Sequence, residues 1–166
     1  AATLVTAELE SVEQRIEEVI RSREPRLTDI ADYLINAGGK RVRPAVAMLV
    51  FRACGGADIK DMVDLSVSLE LIHTATLLHD DVIDGSALRR GRSTVHERWG
   101  NHLTVLVGDH LYLRAMNSAL SADDLRLVKI LCDITLEMIE GEIVQSQING
   151  RHDVTEAEYL DVMRRK

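Results

Sequence analysis

The segment closing on Asp84 constrains this chain more than any other. Residues 61–84 read DMVDLSVSLELIHTATLLHDDVID. The stretch is long, strongly apolar and has a helical period, and Asp58 can cap its start. It ends on Asp80, Asp81 and Asp84. The rest of the chain follows the same code. Residues 4–22 carry Leu4, Val5, Leu9, Val12, Ile16, Val19 and Ile20 on one stripe. Residues 27–37 read as a short helix stopped by Gly38-Gly39. Pro44 suits the first turn of a third helix running to Gly55-Gly56. Gly85 to Arg92 breaks the period and reads as a loop.

Ser93 or Thr94 then starts a short helix through Trp99, and Asn101 opens another through Leu120. Ser121, with Asp124 in the capping-box position, starts a long helix to Ile148. Asn149-Gly150 ends it, and Thr155 begins a last helix that runs to Lys166 without a stop signal. No alternating strand pattern exceeds a few residues. With 2 Pro and 3% aromatic residues, the composition favours helix over sheet. The expected fold class is all-α: one helical bundle over residues 1–166, about eight helices with short connections, incomplete at its C-terminus.

A net charge of −7 makes nucleic acid an unfavourable partner. An anionic ligand must then be held by a local basic cluster or through metal ions. No apolar run is long enough to span a bilayer, and no signal peptide is visible, so a cytoplasmic protein is expected. Cys54 and Cys132 lie far apart in apolar surroundings and read as small buried hydrophobes.

The chemistry gathers at the end of the Asp84 helix. Asp80 and Asp84 share a face, about 6 Å apart along the axis, with Asp81 beside them. Three like charges near the negative end of a helix dipole are unfavourable unless a cation neutralises them. Oxygen ligands in an open arrangement suit Mg²⁺, which keeps waters and binds substrate phosphates. His73 lies nearly two turns earlier on the same face. Arg89-Arg90-Gly91-Arg92 follows, and two adjacent arginines can clamp diphosphate oxygens. Lys40-Arg41-Val42-Arg43 forms a second cationic cluster at a helix N-terminus. Two anion sites and one metal site imply a reaction between two diphosphorylated substrates.

These residues resemble the trans-isoprenyl diphosphate synthases, or polyprenyl synthetases. The matching stretches are Gly38-Gly39-Lys40-Arg41-Val42-Arg43-Pro44, then Glu70 through Asp84, then Arg89-Arg90-Gly91. Gly108-Asp109 with Leu111-Tyr112, and Gly141-Glu142 with Gln145, match more weakly. The resemblance implies an isoprenoid-synthase bundle that condenses isopentenyl diphosphate with an allylic diphosphate. It implies Mg²⁺ held by Asp80 and Asp84 with Asp81 in support. Isopentenyl diphosphate would be bound by Lys40, Arg43, His73 and Arg90, and the allylic diphosphate by Arg89 and Lys166. The family's second aspartate-rich motif has no match here, so residues 1–166 alone are expected to be inactive.

Ala75 and Thr76, one turn before Asp80, would line the product tunnel. Both are small, and the resemblance then implies a medium or long product, heptaprenyl to decaprenyl. A homodimer is expected by resemblance, together with apolar positions such as Leu103, Val105, Leu106, Leu111, Leu113 and Met116. Two other functions fit parts of the pattern. A metal-dependent phosphohydrolase would use His73, His79-Asp80 and a later Asp, but it leaves Gly38–Pro44 and Arg89–Gly91 without a role. A non-catalytic partner subunit of a heteromeric synthase fits the missing motif, but it has no need of repelling carboxylates.

Overall fold

The computed structural model describes residues 5–35 and 38–166, and Asp61 by its backbone alone. Eight α-helices occupy the described residues: α1 (Thr6–Ile20), α2 (Pro25–Ile35), α3 (Val42–Ala53), α4 (Lys60–Ile83), α5 (Val95–Trp99), α6 (Asn101–Leu120), α7 (Leu125–Ile148) and α8 (Glu156–Arg165). The all-α expectation holds. The helices divide between two compact units, residues 1–123 and 124–166.

In the first unit α4 is the central element. It packs most extensively on α6 and also meets α1, α3 and α5. Its buried residues Val67, Leu71, Ile72, Ala75 and Leu78 face Val12, Ile16 and Ile20 of α1, Met48 of α3, and Val107, Leu111 and Ala115 of α6 in one core. Each large aliphatic side chain so buried contributes about 1.5–3 kcal/mol. Small residues let α4 and α6 approach closely. The Ser68 hydroxyl donates to the Ala115 carbonyl at 2.8 Å. A Cβ on Gly108 would stand 2.2 Å from Nε2 of His79, so the His79 ring rests where only glycine leaves room. Leu111 belongs to this core, whereas Val105, Leu106 and Leu113 on the same helix are exposed.

Element ends differ from the sequence reading in instructive ways. α2 starts at Pro25, the first helical position, where the missing N–H costs nothing. The N-cap of α4 is Ile59 rather than Asp58, which lies one residue earlier and accepts from the Lys60 N–H at 3.1 Å. α7 starts at Leu125 with Asp124 as its cap, accepting from the Arg126 N–H, rather than at Ser121. Residues 36–37, read as the end of α2, lie outside the described residues, as does Leu4. Cys54 is exposed at the C-terminus of α3 and Cys132 is half-buried. The first of these departs from the expectation of a buried thiol.

The largest departure is at the predicted loop. Leu88–Arg89 (β1) and Arg92–Ser93 (β2) form an antiparallel hairpin, with Leu88 opposite Ser93 and Arg89 opposite Arg92. Arg90 and Gly91 make its two-residue turn, with φ of 51° and 76°. Positive φ at both positions is what a type I′ turn requires and what matches the twist of the strands. Arg90 is strained there by about 1–2 kcal/mol, since its Cβ crowds the following carbonyl.

In the second unit α7 packs on α8. Thr155 and Glu158 form a full capping box at the start of α8. A Cβ on Gly141 would lie 2.8 Å from the Arg165 Cβ, so glycine lets the two helices close. No described helix is long and apolar enough to cross a membrane.

Candidate diphosphate-binding site

The site is built where α4 ends. Its C-terminus is a Schellman-type turn. Gly85 adopts φ +60°, and the Ser86 N–H donates to the Asp81 carbonyl at 3.0 Å. This turn sends the chain back as the hairpin, so β1 lies beside the last turns of α4. Arg89 reaches Asp81 twice: Nε and Nη2 each lie 2.8 Å from Oδ1. Asp81 is only 3% exposed. It therefore points into the protein and holds Arg89, while Asp84 stands exposed at the C-cap and Asp80 is half-buried one turn before it.

The second wall comes from the Gly38–Arg43 segment. Arg90 at the hairpin tip donates from Nη1 to the Gly38 carbonyl, which joins the two basic segments. Lys40, Arg43, His73, Glu70 and Arg90 line an open cleft of about 440 Å³. Lys40 and Arg43 are both exposed. Arg41, the third cation of the cluster, also borders the cleft, but its guanidinium is engaged by carboxylates. It pairs with Glu13 at 2.5 Å and with Glu70 at 3.0 Å. Those carboxylates hold it in a left-handed conformation, φ 46°, at the head of α3. A Cβ on Gly39 would approach Nη1 of that side chain to 2.8 Å, so Gly39 makes room for this pairing. Two of the three cations in the cluster thus remain for an anion.

His73 sits in the cleft, half-buried. Burial, then the Arg43 guanidinium, hold it below the ordinary histidine value of 6.5; Arg90 and Arg89 act the same way and Glu70 opposes them. The sign of its effect on stability follows. Below its ordinary value the unfolded chain takes up the proton first, so stability is full above about pH 6.5 and falls as pH drops toward the lowered folded value. Thermal unfolding from about pH 7.5 to about pH 5.5 should show this loss, and His73→Asn should flatten it.

Glu70, Arg41, Tyr33 and Arg92 line the neighbouring cavity with His73, Asp81, Arg89 and Arg90. Of these, Tyr33 is not singled out by the sequence, and Arg41, Arg92 and Glu70 stand out there only as parts of longer stretches. Glu70 carried a signal: it lies one turn before His73 on the same face of an apolar helix. One of its oxygens, Oε2, is buried without a hydrogen-bond partner.

The remaining expected residues lie elsewhere. Ala75 is 2% exposed in the α4 core, and the Thr76 hydroxyl donates to the His73 carbonyl at 2.9 Å. Lys166, in the second unit, donates to Glu142 and to Gln145, the latter at 2.9 Å. His79 leaves the Asp80 face for α6, 3.3 Å from the Val105 carbonyl and 3.6 Å from Asp109.

Among the described residues no three acidic, histidine or cysteine side chains converge as a complete metal cage. Asp80 and Asp84, one turn apart at the end of α4, could supply a two-carboxylate edge beside Asp81. That donor set fits Mg²⁺, which completes its shell with water and substrate phosphates.

Residues 24–166 match the polyprenyl synthetase family. The chain is 39% identical to the all-trans-nonaprenyl-diphosphate synthase (geranyl-diphosphate specific) of Rhodobacter capsulatus, over 98% of this chain and 50% of that protein. It is 37% identical to heptaprenyl diphosphate synthase component 2 of Geobacillus stearothermophilus, over 99% of this chain and 51% of that protein. Its structure is similar to that of the polyprenyl synthase of Caulobacter crescentus complexed with calcium and isoprenyl diphosphate, with TM-score 0.95, 36% identity, and coverage of 99% of this chain and 50% of that one. The chain thus spans about half the length of these relatives, whose wider set runs from short-chain to long-chain synthases. A match over most of its residues, joined to an all-α fold that carries a cationic cleft beside an aspartate-ended helix, places this chain in the polyprenyl synthetase family.

Proposed function

We propose that the protein carrying this chain is a prenyltransferase. It condenses isopentenyl diphosphate head to tail with an allylic prenyl diphosphate to give a medium- or long-chain all-trans polyprenyl diphosphate. The observation that carries the reading is the joining of Arg90 to Gly38: it brings the hairpin tip and the Lys40–Arg43 segment to one cleft beside Glu70 and His73 of α4, while Asp81 and Arg89 line the neighbouring cavity with His73 and Arg90.

Lys40, Arg43 and Arg90 neutralise the isopentenyl diphosphate, and neutral His73 donates a hydrogen bond to it. Arg89, steadied by Asp81, faces the allylic diphosphate. Asp80 and Asp84 would hold Mg²⁺, which when bound offsets charge developing on the leaving diphosphate. The fixed cations of this chain act in the same sense: they are oriented before reaction and need no reorganisation as the charge develops. The apolar residues of α4 shield the electron-poor allylic carbon from water. Attack by the double bond of isopentenyl diphosphate and loss of a proton, passed to the departing diphosphate, complete the condensation.

The small side chains of Ala75 and Thr76 support a medium or long product. In the intact protein, Ala75→Phe is expected to shorten the product, read by chromatography of the dephosphorylated prenols. An unchanged length would remove Ala75 from the tunnel. We propose also that the protein is cytoplasmic and that its active form is a homodimer; the exposed Val105, Leu106 and Leu113 of α6 support the dimer.

A heteromeric assembly is the second reading, favoured by the likeness to a relative named as a component. Synthase assays on the purified intact protein separate the two. Turnover without any partner supports the first, and turnover only on adding a second subunit supports the other.

A further inference from the structure

Arg89 and Arg90 belong to a segment with more positive charge than two diphosphate contacts need. Arg92 lies opposite Arg89 on the hairpin, and Arg98 follows on α5. Both of these extra cations sit on one aromatic ring. The guanidinium of Arg92 and that of Arg98 each lie 4.5 Å from the centroid of the Tyr33 ring. Arg98 is also 4.6 Å from the Trp99 ring, which meets Tyr33 edge-on at 5.2 Å. The Tyr33 hydroxyl donates to the Ser93 carbonyl at 2.7 Å.

Tyr33 thus ties α2 to β2 by a hydrogen bond and to β2 and α5 by its ring. Such contacts are favourable because the ring face carries partial negative charge. β2 has no strand beyond it in its two-stranded sheet, and a two-stranded hairpin is marginal by itself in water. Its register decides where Arg89 and Arg90 stand, so something outside it must hold it still. Arg90 also occupies a strained turn position, which persists only where the surroundings determine it.

We infer that Tyr33 is a positioning residue for diphosphate binding: it anchors the hairpin and draws Arg92 and Arg98 onto its ring, leaving Arg89 and Arg90 to face the substrate. The inference rests on the proposed role of those two arginines. It assigns Tyr33 no contact with the reacting atoms. Its loss should therefore weaken substrate binding more than turnover at saturation.

The test uses the intact protein, with isopentenyl diphosphate binding followed by calorimetry and KM and kcat measured alongside. Losing two cation–ring contacts and a hydrogen bond in Tyr33→Leu is expected to weaken binding about tenfold, with kcat within about threefold. Tyr33→Phe keeps the ring and should stay within about threefold of the parent. Arg92→Met, which removes one cation from the ring, should weaken binding about threefold, and it carries the test if Tyr33→Leu does not fold. Parent-like binding in Tyr33→Leu or, where that variant fails to fold, in Arg92→Met overturns the inference, as does a loss in Tyr33→Phe equal to that in Tyr33→Leu. Arg90→Ala is the control. If it weakens binding while Tyr33→Leu does not, the positioning role alone falls. If Arg90→Ala leaves binding unchanged, the proposed diphosphate site falls, and the positioning role with it.

Discussion

Asp84→Asn in the intact protein is expected to lower kcat about a thousandfold, roughly 4 kcal/mol in the barrier, while leaving the fold at least as stable. The two effects separate because of where Asp84 sits. It is exposed at the C-cap of α4, one turn from Asp80. A carboxylate there faces the negative end of the helix dipole, so removing its charge should stabilise by about 0.3–1 kcal/mol. A residue that costs stability and yet ends the helix carrying the proposed site is accounted for by a cation bound in function. Steady-state kinetics and thermal unfolding on the same preparation check both halves. Unchanged kcat, or a large loss of stability, would place Asp84 in a structural role instead.

Asp81→Ala should behave in the opposite way, costing about 2 kcal/mol of stability. Asp81 is buried and both bonds from Arg89 converge on its Oδ1. Removing it leaves the Arg89 guanidinium without its partner beside an apolar helix. Breaking a fully buried pair costs more; here the Arg89 side chain is 37% exposed, and water recovers part of the loss. Asp81→Asn retains a hydrogen-bond acceptor and should lose less than half as much. Denaturant unfolding measures both. Equal stability of Asp81→Ala and the parent would dissolve the distinction between the buried Asp81 and the exposed Asp84. The adjacent aspartates thus have different tasks, set by the roughly 100° between successive helical residues.

The helices were legible because the chain states them locally. Apolar spacing in α1, α4 and α6, Pro44 near the head of α3, and Thr155 before Glu158 all act within a few residues. The carboxylate-ended α4 and its flanking cations were legible for the same reason. The hairpin was not. Two-residue strands have no period to read, and Arg at the first turn position lacks the Asn or Asp that usually marks a type I′ turn. The pairing of Arg41 was hidden as well, because it depends on Glu13 and Glu70, far away in sequence. Tyr33 gave no signal in the sequence reading for a similar reason: its hydroxyl finds Ser93 across 60 positions. What the sequence left out are contacts between distant segments, and they decide which of several like-charged side chains remain for an anion.

The most direct measurement is transfer itself. The intact protein is incubated with labelled isopentenyl diphosphate, an allylic diphosphate and Mg²⁺, and acid-labile, solvent-extractable prenyl product is counted. Label should enter that product only when both diphosphates are present, and Asp84→Asn and Arg90→Ala should each suppress it. Incorporation equal in the parent and both variants, or release of diphosphate from a single substrate without carbon–carbon bond formation, would contradict the account.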